Sequence, residues 1–263
     1  MNNTLATTHN TPTTKRIYFL DKLRGLAVVA MVLYHTIYSM AFIGDFPLGY
    51  NLLHAVYPYS WLISVVFISI CGICSVFSKN NLKNGIKLLG IGLVITLVTA
   101  IFLPTNFIAF GVLHFLGCAL IIIALLKKQF SQVQSLKVIS LIIILCLAVY
   151  TISYNIPRGY IGLSSQHCIT LPQQLYSWYP LFILGLPTDT FYSADYFPIF
   201  PHLFLFIAGF FAGQLITKIQ LPSFMYKKRC NPLRFIGKHS LIIYILHQPI
   251  IIGVIYIIKT FFL

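Results

Sequence analysis

The sequence predicts an all-α fold, a polytopic membrane helix bundle of about seven transmembrane helices. Of its 263 residues, 58% are hydrophobic and only 8% are charged, and the mean hydropathy is +0.87. Soluble domains carry about 25% charged residues, so this chain lacks the polar side chains needed to cover a water-facing surface. Long apolar runs and a one-sided distribution of basic residues support the same prediction.

Seven apolar runs are long enough to cross a bilayer, which takes about 20 residues in a helix. They lie at approximately 17–40, 57–78, 86–103, 107–126, 136–154, 199–217 and 239–258. A further run at 175–187 is shorter and carries Trp178 beside two tyrosines, a composition typical of the headgroup level. We interpret it as a short re-entrant or interfacial segment.

The basic residues indicate the orientation of the helices. Sixteen of the 18 Lys and Arg residues lie at the start of the first helix or in connections that fall on that same side. Only Arg158 and Lys259 fall on the other side, together with Asp45, Asp189 and Asp195. By the positive-inside rule, we expect a plasma-membrane protein with a cytoplasmic N-terminus and an outer C-terminus. The net charge of +14 therefore reflects topology, and no nucleic-acid partner is expected.

The chain divides into a tail and one membrane domain. Residues 1–14 are polar, rich in Thr and without periodicity, which is typical of a disordered segment, here cytoplasmic. The apolar run after them is too long for a signal peptide, so residues 15–263 form a single predicted integral-membrane domain. Its outer loops, 41–56 and 155–198, are where an extracytoplasmic substrate would be met.

The cysteines predict neither a disulfide framework nor a metal site. Of the six, Cys168 is the only one expected outside, so it has no outer partner within the chain. The stretch "CGIC" (71–74) has a metal-ligand spacing but no histidine nearby in sequence. Gly72 and Ser75 favour close packing of this helix against a neighbour instead.

Arg24 and His35 stand out because ionisable residues inside a membrane helix are costly and often functional. They open and close the apolar stretch "RGLAVVAMVLYH". Their spacing is about three helical turns, or roughly 16 Å, so both lie on one face, and Asp21 lies where it can pair with Arg24. The alternative is structural: Arg24 extends to the headgroups, and His35 hydrogen-bonds a neighbouring helix.

Three further histidines are candidates for the interior of the bundle. His114 lies two turns inside the fourth, His247 lies in the seventh beside Pro249, and His202 lies at the outer mouth of the sixth. A helix–helix hydrogen bond, a proline kink and an interfacial position are the respective structural alternatives. With His35, they predict imidazoles in the outer half of a bundle whose inner end is basic. That arrangement suits a tunnel with an anionic ligand at the inner mouth and proton transfer deeper inside.

Several stretches resemble known families. An Arg followed after ten residues by a His, as in "RIYFLDKLRGLAVVAMVLYH", resembles a motif of membrane acyltransferase family 3. More of the chain is similar to the related heparan-alpha-glucosaminide N-acetyltransferase catalytic-domain family, in its small bacterial members. The similar stretches occur in order at 16–35, 67–99, 108–117, 193–213 and 232–249.

The resemblance implies an enzyme. Such a transmembrane acyltransferase moves an acetyl (acyl) group from cytoplasmic acyl-CoA to a hydroxyl or amine of an extracytoplasmic carbohydrate of the cell envelope. The implied partners are membrane lipid, acetyl-CoA as co-substrate and a sugar or glycan acceptor, while a homodimer remains open. The alternative is a small membrane transporter or ligand-binding protein without acyl-transfer activity, although no internal repeat, common in transporters, is clear in the sequence.

This activity gives the polar residues expected roles. We expect His35 to act as the general base, and His114, Asn106 or backbone N–H groups to stabilise the oxyanion. The residues expected to bind the donor are Arg24, Asp21, Lys22, Arg234 and His247. Those expected to bind the acceptor are Asp195, His202 and Asn106.

Two points stay open at this stage. An acyl-histidine intermediate is an alternative to direct transfer. The sequence also does not decide which of His35, His114 and His247 is the base.

Overall fold

The computed structural model describes residues 16–164, 166–228 and 231–262, so the tail predicted at 1–14 lies outside the described residues. The helices in these ranges are α1 (Tyr18–Phe42), α2 (Pro47–Val56), α3 (Ser60–Val76), α4 (Asn81–Phe102), α5 (Val112–Ser131), α6 (Leu136–Ser153), α7 (Ile199–Lys218), α8 (Pro232–Lys238) and α9 (Ser240–Phe262). A small antiparallel hairpin of β1 (Tyr160–Ser164) and β2 (His167–Thr170) follows α6.

Seven helical segments are long and apolar enough to cross a membrane, which confirms the predicted bundle. They correspond in order to the seven apolar runs of the sequence. Their bounds are Tyr18–Phe42, Pro47–Val76, Asn81–Phe102, Val112–Ser131, Leu136–Arg158, Ile199–Lys218 and Ser240–Phe261.

Two helices start at other residues than predicted. Hydrogen bonds at the first turn, and not the apolar run, decide where each of them begins. α4 begins five residues early, at Asn81, since the Asn80 side chain accepts a hydrogen bond of 2.8 Å from a backbone N–H of the first turn. α5 begins five residues late, after extended backbone at Gly111. His114 therefore lies in the first turn of α5, and the prediction that it lies two turns inside the helix is wrong.

The predicted outer loops contain more structure than expected. The loop predicted at 41–56 forms α2, with Pro47 at the first helical position. The segment at 175–187 forms two short 3₁₀ turns, with Trp178 exposed between them. The hairpin was not predicted, because its strands have only five and four residues and show no apolar alternation.

The core is aromatic and lies between α3, α5, α6 and α7. Its fully buried side chains include Phe115, Phe206 and Phe210. α3 and α7 cross closely, as predicted at Gly72: a methyl group there would overlap the carbonyl oxygen of Phe206. Backbones without intervening side chains approach closely enough for van der Waals packing, which holds membrane helices together.

The bundle has two chemically different ends. The starts of α1, α4 and α9 meet the end of α3 at one of them, where Arg16, Arg24, Lys79 and Lys87 line a common cavity. We call this the basic end. The opposite end carries the segment 155–198, and we call it the loop end.

The short helix α8 holds the start of α1 at the basic end. A methyl group at Gly25 of α1 would overlap the carbonyl oxygen of Leu233, and one at Gly237 of α8 would overlap that of Asp21. The two backbones are thus in direct contact, and only glycine leaves room for the crossing. This crossing fixes the first turns of α1, from which Arg24 projects.

We therefore predict that Gly25→Ala and Gly237→Ala each lower the unfolding temperature of the detergent-solubilised protein. Overpacking of this kind costs about 1–3 kcal/mol. The matched controls are Gly90→Ala and Gly253→Ala, because a methyl group at either position meets nothing within 4 Å. Equal unfolding temperatures for all four variants would contradict the close crossing.

Candidate functional site

Two cavities open toward the two ends of the bundle. The basic-end cavity, of about 750 Å³, is lined by the start of α1, the end of α3 and the start of α4. The loop-end cavity, of about 560 Å³, is lined by the outer halves of α1, α3 and α9 and by the segment around Asp195. Volumes of this size are typical of small-molecule sites.

The two cavities lie about one helical turn apart. On α3, Phe67 lines the loop-end cavity and Cys71 lines the basic-end cavity. On α9, Tyr244 lines the loop-end cavity and Leu241 lines the basic-end cavity. A spacing of three or four residues is one helical turn, about 5.4 Å. The sequence predicts one tunnel, and the structure has two cavities that approach each other within about one turn at these four residues, which we call the septum.

Arg24 in the basic-end cavity has no carboxylate partner among the described residues. The predicted pairing with Asp21 is wrong: Asp21 pairs with Arg16 at 2.9 Å, because Arg16 lies just before α1 and folds back along its first turn. Arg24 instead donates from Nη2 to Ser240 Oγ at 3.0 Å. Its Nε is buried and has no partner in the part of the chain that the structure describes, so an anion or an acceptor group fits beside it.

Only some of the other residues predicted to bind the donor line the basic-end cavity. Asp21 lines it, whereas Lys22 and Arg234 do not. The guanidinium carbon of Arg234 lies 5.0 Å from the ring centroid of Tyr18, a cation–π contact beside the crossing of α8 and α1. The sequence did not single out the exposed Lys79, which joins this cavity from the α3–α4 connection.

His35 and His247 meet in the loop-end cavity, with ring centroids 5.1 Å apart. His247 Nδ1 lies 2.6 Å from the carbonyl oxygen of Tyr244. A carbonyl only accepts, so Nδ1 carries the proton and Nε2 holds the free lone pair. That Nε2 is buried without a hydrogen-bond partner in the described chain. The sequence grouped His247 with the donor-binding residues, and the structure places it beside His35.

Tyr244 also connects His247 to Asp195. Its hydroxyl donates to Asp195 Oδ2 at 3.2 Å, and the backbone N–H of Val112 donates to the same oxygen at 3.1 Å. The carboxylate thus sits at the N-terminus of α5, where a helix favours negative charge. Burial raises the pKa of Asp195 above its ordinary value, and these two hydrogen bonds oppose that rise. A methyl group at Gly111 would lie 2.5 Å from the same oxygen.

Both ring nitrogens of His114 are engaged within the protein. Nδ1 accepts from the backbone N–H of Gly111 at 3.2 Å. The Thr96 hydroxyl donates to the carbonyl oxygen of Ile108 at 2.7 Å, so it accepts from His114 Nε2–H at 3.2 Å. His114 is buried and does not line either cavity. Its contacts hold the start of α5, and through it the donor to Asp195.

The loop-end cavity brings together residues that are far apart in sequence. His202 lines it and donates from Nδ1 to the carbonyl oxygen of Pro198 at 3.0 Å. The predicted site residues that line it are His35, His247, Asp195, His202 and Asn106. No role was predicted for Tyr244, whose only signal in the sequence is its position one turn before His247.

Metal binding finds no support in the described ranges. No group of three or more His, Cys, Asp or Glu side chains within 16–164, 166–228 and 231–262 is placed to hold an ion.

Comparison with known protein families identifies a match. The family model described as heparan-alpha-glucosaminide N-acetyltransferase, catalytic, matches residues 16–249, nearly the whole membrane bundle. No curated protein and no solved structure matches the chain.

The raised pKa of Asp195 makes the stability of the protein depend on pH. The pKa of Asp195 is higher in the folded state than in the unfolded chain, where it lies near 4. Between these two pKa values the folded state keeps a proton that the unfolded chain has released. The free energy of unfolding therefore falls as the pH rises from about 4 through the raised pKa. Asp195→Asn keeps an oxygen acceptor and loses this charge. We expect its unfolding temperature at neutral pH to match or exceed that of the wild type, with a weaker pH dependence.

The matched variant is Asp195→Ala, which leaves the Val112 N–H and the Tyr244 hydroxyl without an acceptor. We expect it to lose about 1–3 kcal/mol of stability. Thermal unfolding of the three proteins across the pH range measures both effects. Equal losses in the Asn and Ala variants would show that the negative charge itself is stabilising.

Proposed function

We propose that this chain, which belongs to the heparan-alpha-glucosaminide N-acetyltransferase catalytic family, transfers an acyl group, typically acetyl, across the membrane. The donor is cytoplasmic acyl-CoA, and the acceptor is a hydroxyl or amine of an extracytoplasmic carbohydrate. The family is one of membrane acetyltransferases. The observation that carries the proposal is the unpartnered Nε2 of His247 in a cavity separated by one helical turn from a second, cationic cavity.

The basic-end cavity fits the donor. By the positive-inside rule this end faces the cytoplasm, where acyl-CoA is found. Coenzyme A carries several phosphate charges, and Arg24 and Lys79 offer cations without a carboxylate partner in the described chain. A guanidinium suits phosphate and carbonyl oxygens alike, because its donors form a rigid fork.

The septum determines how the reactants meet. The pantetheine arm is long and thin, so the nucleotide can stay in the basic-end cavity while the thioester crosses about one helical turn. Phe67 and Tyr244 line the loop-end side of the route that the arm would take.

In the proposed reaction His247 is the general base. Its Nδ1–H is held by the Tyr244 carbonyl, so Nε2 accepts the proton of the acceptor hydroxyl or amine. The acceptor oxygen or nitrogen bonds to the thioester carbonyl carbon, the carbon–sulfur bond breaks, and the thiolate of coenzyme A leaves. The proton on His247 is then available to that thiolate, which balances the transfer.

The remaining predicted residues support this centre. We propose that His35 positions the reacting groups beside His247, and that Asn106 and His202 bind the acceptor. Asp195 acts through Tyr244, as a positioning residue. For His114 we propose a role in holding α5 rather than in proton transfer, because both of its ring nitrogens are already bonded.

The experiment that tests the function uses purified protein in nanodiscs with radiolabelled acetyl-CoA. Release of free coenzyme A is followed with and without a panel of hydroxyl-bearing and amine-bearing sugars. Acceptor-dependent release with label on the sugar supports transfer. Label retained on the protein with donor alone supports an acyl-histidine intermediate. Binding without any thioester cleavage would favour the transporter or ligand-binding alternative.

Loss of the His247 side chain is expected to slow transfer in this assay. We expect His247→Ala to lower the transfer rate at saturating donor by about 10²–10⁴-fold, the usual contribution of a general base, with little change in donor affinity. His54→Ala is the control, since His54 is exposed and lies outside both cavities. If His247→Ala retains full activity while His35→Ala loses it, then the base is His35.

A further inference from the structure

Two buried polar atoms in the basic-end cavity lack a hydrogen-bond partner within the described residues. They are Nε of Arg24 and Oδ1 of Asn81, and both residues line the cavity. Buried polar atoms in folded proteins are nearly always paired, and each exception calls for an explanation. A ligand of this cavity can supply both partners.

Asn81 presents a fixed acceptor. It is the first residue of α4 and only 4% exposed. Its Nδ2 lies 2.9 Å from the carbonyl oxygen of Ser75, and because a carbonyl only accepts, Nδ2 must be the donor. The orientation of the side-chain amide is therefore determined, and Oδ1 is an acceptor that awaits an N–H group.

Arg24 presents a fixed donor. Its guanidinium is anchored by the hydrogen bond from Nη2 to Ser240 Oγ, and Nε always carries a proton. Phosphate oxygens only accept, so a phosphate can satisfy Arg24 but not Asn81. A secondary amide has both a carbonyl oxygen and an N–H group, so amide groups offer a partner of the right kind to each of the two atoms.

We infer that Asn81 Oδ1 and Arg24 Nε recognise the amide groups of the pantetheine arm of the donor. This inference rests on the proposed function and deepens it, because it names a donor-binding residue, Asn81, and the part of the donor that it reads. The exposed cations Lys79 and Lys87 line the same cavity and are available to bind the phosphates of the donor. Donor selection then depends on the arm as well as on charge.

The test measures equilibrium binding of three probes to the full chain in nanodiscs. Coenzyme A has both arm and nucleotide, phosphopantetheine has the arm without the nucleotide, and adenosine bisphosphate has the phosphates without the arm. We expect Asn81→Leu to weaken binding of the first two by about three- to tenfold, the effect of one hydrogen bond. Binding of adenosine bisphosphate should not change. We expect Asn81→Ala, which adds no bulk, to weaken binding of the same two probes to the same extent. It replaces the Leu variant in the test if that variant does not fold.

Gln214→Leu is the matched control. Gln214 also donates from its amide to a backbone carbonyl, that of Phe130 at 3.1 Å, and its Oε1 is likewise buried without a partner in the described chain. It lines neither cavity, so its loss should leave the binding of all three probes unchanged.

The outcomes separate this inference from the function on which it rests. Equal weakening of all three probes by the Asn81 variants, or no weakening of any, overturns the role of Asn81 in reading the arm. Wild-type protein that binds adenosine bisphosphate but not phosphopantetheine also overturns it. Wild-type protein that binds none of the probes overturns the proposed function, and the inference with it.

Discussion

Unpartnered polar atoms inside an apolar bundle are the feature from which the organisation of this protein follows. A buried polar atom without a hydrogen bond lowers the stability of a fold, so each such atom calls for a partner from the protein, a ligand or the solvent. Four such side-chain atoms are buried among the described residues, and those of Arg24, Asn81 and His247 belong to residues that line the two cavities. Their position on the linings of the two cavities indicates that these atoms bind ligands.

The pairing of α1 with α9 places Arg24 and His247. The two helices run side by side from the basic end, where Arg24 bonds Ser240, toward the loop end, where His35 meets His247. Sites carried on packed helices are held more accurately than sites on loops. The close crossing of α8 with α1 anchors this pair at the basic end, and the link from Tyr244 to Asp195 anchors it at the other.

The septum reconciles two demands on an enzyme that is proposed to act across a membrane. On this proposal its substrates lie on opposite sides, whereas a continuous open tunnel would let ions and water pass. Two cavities about one helical turn apart leave only a short distance for an extended thioester arm to cross. Phe67, Leu241 and Tyr244 line these cavities between the cations and the paired histidines.

The sequence by itself determined the seven spans, the one-sided distribution of charge and the shared helix face of Arg24 and His35, because length, hydropathy and helical period are local properties. It also marked most of the loop-end residues, since ionisable groups are rare in apolar runs. Only the tertiary structure decided which groups touch. It paired Asp21 with Arg16, placed His247 beside His35 and engaged both nitrogens of His114. The meeting of His35 with His247 and the contact of His114 with Thr96 depend on how separate helices cross, and no local pattern encodes the geometry of those crossings.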